Sequence, residues 1–327
     1  MSANTHPPTK PWLSLQAQVD LLKSRGMRID DESLAIQYLS RIGYYRMSGY
    51  AYPFRQHNPN YQADTNCNQR LSSFEKDTCF SDVVDLYIFD KKLRLLVMDA
   101  LERIEISMRF EVAHLLGQKN TLAYQRPNLF DKRFAISNNG SKSNYQIFIE
   151  NHDKCVKRSK EEFITHHKEK NHGLPIWVAC EVWDFGMLSH LFAGMMPDDQ
   201  KVIAEKFGLK HAKTLASWLQ SLSILRNLCA HHSRLWNKSF KVKPKLSGEE
   251  LLTWTEHFRS NVHSSGRVFL LLCVCTHMLK VICPNSEWAN RLLIHLKTFP
   301  HIKHQEINLC AMGCCENWEK IIDGIVK

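Results

Sequence analysis

From Ser81 to about Leu116, the apolar residues Leu86, Phe89, Leu93, Leu96, Val97, Leu101, Ile104 and Met108 recur at spacings of three and four, with Leu96 and Val97 adjacent. At about 100° per residue this run predicts one helix roughly 50 Å long, with Ser81 as its cap and Asp82 and Asp85 in its first turn. A helix of that length crosses a whole domain, so the other elements must pack along it. The same spacing recurs in Leu34, Tyr38, Leu39 and Ile42, with Asp30 and Asp31 ahead as caps and Gly43 behind as a stop. Pro175 opens another helix through Trp177, Cys180 and Val182. No strand-like alternation, internal repeat or phosphate-cradling glycine loop stands out among the 13 glycines. The expected fold class is therefore all-α, a helical bundle. Its expected parts are an N-terminal helical segment over 1–76 that ends in a polar linker (Asn58 to Lys76), a central core over 77–247, and C-terminal helices over 248–327.

The aromatic stretch from Tyr44 to Phe54 reads as packing between helical layers. The segment Arg126 to Gly173 reads as a charged, irregular insertion. The apolar run Val268 to Cys283 falls short of the ~20 residues that span a bilayer and is interrupted by His277 and Lys280, so a buried helix is expected there. Eleven cysteines, an odd number with several inside apolar helical runs, read as small core residues in a reducing compartment. Met1 to Pro11 is polar and carries neither a signal-type apolar core nor a lipidation pattern, so the expected location is the cytoplasm, with no membrane partner. His301, His304, Cys310, Cys314 and Cys315 match no known zinc spacing well, and His152, Cys155, His166, His167 and His172 read as a solvated segment; no metal and no cofactor are expected.

A formal charge of +10 and a pI near 9.0 point to a polyanionic partner. The charge is concentrated. Between Glu205 and Glu249 the chain carries nine Lys or Arg and no acid. Within that stretch Leu215, Trp218, Leu222, Leu225, Cys229 and His232 mark the buried stripe of a helix. Measured from Leu222, Arg226 falls at about 40°, Ala230 and Ser223 at about 80° and 100°, Asn227 at about 140° and His231 at about 180°. Arg226 and His231 then flank an edge of small residues on which a phosphate can rest, with Asn227 placed to orient the His231 ring and His232 assigned to packing. An arginine to neutralise a phosphate and an imidazole to move protons are what phosphodiester cleavage requires. Arg234, Lys238, Lys241, Lys243 and Lys245 are candidate contacts to an RNA backbone. On the long helix Asp90, Arg94, Glu102, Glu105 and Arg109 share a sector of about 120°, and Glu105 and Arg109 are the expected supports of the site.

Arg226-Asn227-x-x-x-His231 resembles the Arg-x(4 to 6)-His signature of HEPN ribonucleases. The extended string through Arg234-Leu235-Trp236-Asn237 is similar to that of Abi-like abortive-infection proteins of the AbiD/AbiF type. Gly43-Tyr44-Tyr45-Arg46-Met47-Ser48-Gly49-Tyr50, Leu86 to Arg94, Pro175-Ile176-Trp177 through Phe185-Gly186, and Met312-Gly313 with Asn317-Trp318 stand in the order that family shows. The chain departs from the pattern at Cys314 and Cys315, where the family carries an apolar residue and Pro. The resemblance implies a HEPN-like core and a metal-independent endoribonuclease of an antiphage toxin-type system. Arg226 and His231 would be its catalytic residues, and the acid and base would be shared either across a homodimer or with a second polar group of the same chain. A cognate antitoxin, RNA or protein, is a further candidate partner. The alternative is a non-catalytic RNA-binding or protein-interaction module of the same defence setting.

Overall fold

The structure, a computed structural model, describes residues 10–62, 69–137, 141–170, 173–246 and 252–326. Its described residues form sixteen α-helices and one two-stranded hairpin, an all-α fold. The chain divides into two compact units, Met1–Lys91 with Thr298–Asn308, and Lys92–Lys297 with Leu309–Lys327.

In the first unit α1 (Leu15–Ser24) starts where Ser14 Oγ accepts from the Ala17 N–H, and α2 (Glu32–Ile42) where Asp31 accepts from the Leu34 N–H. Each cap satisfies an orphan donor of the first turn. Helix α3 (Tyr44–Ala51) follows directly. Two short strands were missed in the sequence. β1 (Arg55–His57) pairs antiparallel with β2 (Arg70–Phe74), Arg55 opposite Phe74 and His57 opposite Arg70. The expected linker Asn58 to Lys76 is therefore partly strand, and its residues 63–68 lie outside the described residues. Strands of three and five residues with polar composition carry too little alternation to be read from periodicity. Glu306 accepts a hydrogen bond from Arg70 and pairs with His57 at 2.7 Å, which ties the hairpin to the 298–308 segment. The long helix, α4, runs from Phe80 to Lys119, so Ser81 lies inside its first turn and does not cap it. The Tyr50 hydroxyl donates to Asp90 at 2.6 Å, and both side chains are buried.

In the second unit the rest of α4 is followed by α5 (Lys132–Ala135), α6 (Asn144–Arg158), α7 (Glu162–Glu169) and α8 (Ile176–Ala179). Next come α9 (Phe185–Gly194), α10 (Pro197–Lys206), α11 (Ala212–Ala230), α12 (Glu256–Ser260) and α13 (Val262–Ser265). The chain closes with α14 (Val268–Ile282), α15 (Trp288–Lys297) and α16 (Trp318–Val326). Helix α14 is the core: every residue from Val268 to Leu279 is buried, and the polar members find partners. Thr276 donates to the Leu272 carbonyl, and the His277 ring lies 2.8 Å from the Phe207 carbonyl. Among the described residues no helix is long and apolar enough to cross a membrane.

The segment Arg126 to Gly173 is more ordered than expected, for it supplies α5, α6 and α7. Ser143 and Gln146 form a capping box at the start of α6. His152, expected to be solvated, is buried: Trp183 Nε1 donates to its Nδ1 at 2.9 Å, and Tyr124 and Phe148 complete an aromatic cluster with Trp183. Phe148 and His152 form a one-turn stripe on a helix otherwise rich in charge, so window averages conceal it. His172 lies outside the described residues.

Burial holds the His152 pKa below its ordinary value of 6.5. The folded protein thus binds this proton less readily than the unfolded chain, so its contribution to stability is complete above the unfolded value and is lost as pH falls from there through the lower folded value. The melting temperature should fall between about pH 7.5 and about pH 5, and His152→Gln, which keeps an acceptor for Trp183, should show a shallower decline. Equal slopes for the two proteins would rule out His152 as a source of the pH dependence.

Candidate functional site

The motif lies at the C-terminal end of α11. The helix is held by Leu215, Trp218, Leu219, Leu222, Leu225 and Cys229, all buried, with α9, α10 and α14 as its neighbours. Trp218 packs against the Trp254 and His277 rings, at centroid distances of 6.0 and 5.4 Å, and those two rings also meet each other. The expected helical register holds up to Ala230 and then stops. His231 is the C-cap residue and His232 adopts φ 57. The His232 N–H donates to the Cys229 carbonyl and the Ser233 N–H to the Leu228 carbonyl, at 3.0 and 2.9 Å. These two bonds with a left-handed residue between them are the Schellman closure, which usually employs glycine. The packing assigned to His232 is accordingly incorrect: it is exposed, and its role is to reverse the chain so that Leu235 and Trp236 enter the core. Arg234 leaves the helical wheel for the same reason.

Arg226 lies on the side of α11 facing α4, its Nε 3.7 Å from Glu105 Oε2. Glu105 is 7% exposed and also accepts from Arg109 at 2.6 Å. Arg109 in turn donates to the Trp183 carbonyl at 2.8 Å, one residue before Asp184, which caps α9, and stands 3.7 Å from Glu181. Burial raises the Glu105 pKa, while the guanidinium groups of Arg109 and Arg226 oppose the rise. The carboxylate is thus a desolvated anchor for two arginines. Arg94, also buried, donates to the Ser233 carbonyl at 3.3 Å and steadies the turn that carries the two histidines. The charged sector of α4 contained Arg94, but only this tertiary contact distinguishes it.

The structure brings Glu105, Arg109, Arg226 and Asn227 together. The Asn227 side chain accepts from Arg226 Nη1 at 3.3 Å, and its backbone carbonyl accepts from the His231 N–H. His231 is exposed at the end of the helix. The five positions from Arg226 to His231 correspond to about 140° of rotation and about 7.5 Å of rise, so the arginine is tethered to the interior and the imidazole faces solvent. Of the small-residue edge, Ser223 is buried with its hydroxyl donating to the Gln220 carbonyl, and Ala230 is exposed. Beyond the turn Lys238 and Lys241 are exposed, and Lys243 Nζ lies 3.4 Å from Ser265 Oγ. Lys245 is clipped back onto α11: its N–H donates to Ser217 Oγ at 2.7 Å, and its carbonyl accepts from Trp218 Nε1 at 2.9 Å. Among the described residues no group of three or more His, Cys, Asp or Glu is arranged to hold a metal ion.

The family model described as Abi-like protein matches residues 37–237, a span that contains α4, the Glu105 anchor and the whole of α11 through Asn237. The chain belongs to the Abi-like protein family, a membership that suggests a role in abortive-infection defence. No curated protein and no solved structure matches it.

The left-handed conformation costs an L-residue roughly 1–2 kcal/mol, and the freedom glycine has in the unfolded chain takes back part of that. His232→Gly should therefore stabilise the protein by about 0.5–1 kcal/mol in urea titrations. A loss of stability in His232→Gly would mean that the imidazole, not the backbone turn, is what the position requires.

Proposed function

We propose that the chain is a metal-independent endoribonuclease of an abortive-infection defence system. The observation that carries this reading is an exposed imidazole, His231, at the end of the helix whose last turns also carry Arg226, an arginine held by the buried carboxylate of Glu105. The spacing is that of the HEPN signature, and it falls in the most basic part of the chain. In this reading His231 takes the proton from a ribose 2′-hydroxyl or delivers one to the leaving 5′-oxygen. Arg226 neutralises charge as the phosphorus becomes five-coordinate. Glu105 and Arg109 keep the Arg226 guanidinium from collapsing into alternative rotamers, which lowers the entropy lost when it meets the phosphate. Cleavage would leave a 2′,3′-cyclic phosphate and a 5′-hydroxyl and would spare DNA, which lacks the nucleophile.

One imidazole does not readily serve as base and acid together. His231 stands at an exposed helix end, and a second copy brought against that end across a two-fold axis would supply the other group. The reading therefore includes a homodimer, acting in the cytoplasm on RNA and held silent by a cognate RNA or protein. The contact of Arg226 with Glu105 also suits a second reading, a non-catalytic RNA-binding module whose arginine is structural.

Purified protein in excess chelator should cleave RNA to cyclic-phosphate ends. Arg226→Ala and His231→Ala should each reduce the rate at least about 100-fold, the scale of one general base or one charge stabiliser, with the melting temperature of His231→Ala unchanged. RNA binding without cleavage by the wild type would select the non-catalytic reading.

Glu105→Gln keeps the shape but removes the anchoring charge. We expect a drop in kcat of about tenfold with KM little altered, because the arginine is mispositioned and not removed. An unchanged kcat would relieve Glu105 of this role.

A further inference from the structure

A cleft of about 1230 Å³ lies along α11, bordered by α9, α10 and the segment around Lys245. Its wall on α11 includes a series of side chains three apart, Thr214, Ser217, Gln220 and Ser223, together with Ala212, Lys213 and Ala216. The next member of that series is Arg226. From Thr214 to Ser223 this series advances about 13.5 Å and winds about 180° round α11, so the lining ends one step of three short of Arg226. Lys201, Lys210, Lys213 and Lys245 also line it. Of the two acids in the lining, Asp131 caps α5 and binds Arg133 at 3.0 Å, so it is already committed, and Asp198 is the other. Lys201 stands 3.7 Å from Glu205 on the surface, a pairing worth only tenths of a kcal/mol.

We propose that this cleft seats the backbone of single-stranded RNA and delivers a phosphate to Arg226. The proposal rests on the ribonuclease reading for its last step and on the cleft itself for the rest. The volume exceeds the roughly 300–1,000 Å³ typical of small-molecule sites, and a lined track of about 13.5 Å suits a short run of nucleotides. Cations interleaved with hydroxyl and amide side chains are the lining that phosphate and ribose oxygens require. The ring of Phe134 is turned inward, buried against His190 at 5.1 Å, and does not offer a stacking face. Recognition is thus of the backbone, and base sequence matters little. Of the four lysines downstream of the motif expected from sequence to track RNA, Lys245 alone lines the cleft; Lys201 comes from α10, Lys210 from the connection between α10 and α11, and Lys213 from the start of α11.

The test uses full-length His231→Ala protein, which binds without turnover, and a fluorescent single-stranded decamer of RNA in anisotropy titrations over a range of salt. Changing Lys201, Lys210, Lys213 and Lys245 together to Gln should weaken binding at least about tenfold at low salt. The slope of log affinity against log salt should flatten by roughly 0.7 per contact removed. The set Lys238→Gln, Lys241→Gln and Lys243→Gln should bind within about twofold of the parent. Should the fourfold variant fail to fold, Lys213→Gln with Lys245→Gln should give about half the change in slope. Unchanged affinity and slope in the cleft variants, an equal loss in the comparison set, or equal binding of a duplex of the same length would each overturn the proposal. Cleavage by the wild type is measured separately. Loss of binding in the cleft variants of a protein that never cleaves would leave the cleft standing and remove the nuclease, whereas cleavage that is indifferent to the cleft variants would do the reverse.

Discussion

Glu105 is a carboxylate in the interior of a helical bundle, and a charge there is tolerable only when fully partnered. Stripping one partner from such a buried pair costs about 3–5 kcal/mol. Its partners come from three places: Arg109 one turn along α4, Arg226 on α11, and, through Arg109, the Trp183 carbonyl at the entry to α9. Apolar packing alone tolerates small sliding of one helix along another. A charge that needs a particular guanidinium does not, and it fixes the register of α4 against α11. The same contact determines where Arg226 can point, so stability and site geometry share one constraint.

The second constraint is the end of α11. A helix that continued through Arg234 would carry Leu235 and Trp236 around the wheel and away from the core. The left-handed turn at His232 prevents this, and Arg94 meets the turn at the Ser233 carbonyl. The strain at His232 is offset by two backbone hydrogen bonds and by burial of an indole and a leucine, each worth on the order of 2 kcal/mol. As a consequence the adjacent His231 faces solvent at a helix end with its backbone fixed. That is the geometry the proposed proton transfer would use.

Much of the fold was legible in the chain. The long helix, the α11 stripe, the buried run of α14 and the all-α class all follow from the 3.6-residue period of apolar side chains, which every packed helix must display. The hairpin was not legible because eight residues of polar strand carry almost no alternation, and the order of α6 was hidden because Phe148 and His152 form a stripe one turn long. His152 was misplaced for a related reason. A histidine among lysines looks solvated until a tryptophan from elsewhere in the chain is found to donate to it.

By itself the sequence determined the long helix α4, the buried stripe of α11 and the apolar run of α14, where the positive charge gathers, the family to which the chain belongs, and the presence of an Arg and a His five residues apart, since these depend only on local periodicity and residue type. It placed Glu105 and Arg109 on one face of α4 for the same reason. Tertiary structure alone decided that Glu105 meets Arg226, that α11 stops at Ala230, that His231 is exposed while Leu235 and Trp236 are buried, and that Lys201, Lys210, Lys213 and Lys245 line one cleft. These outcomes rest on contacts between residues tens to more than a hundred positions apart, where burial and charge pairing outweigh the helical preference that would have carried α11 further.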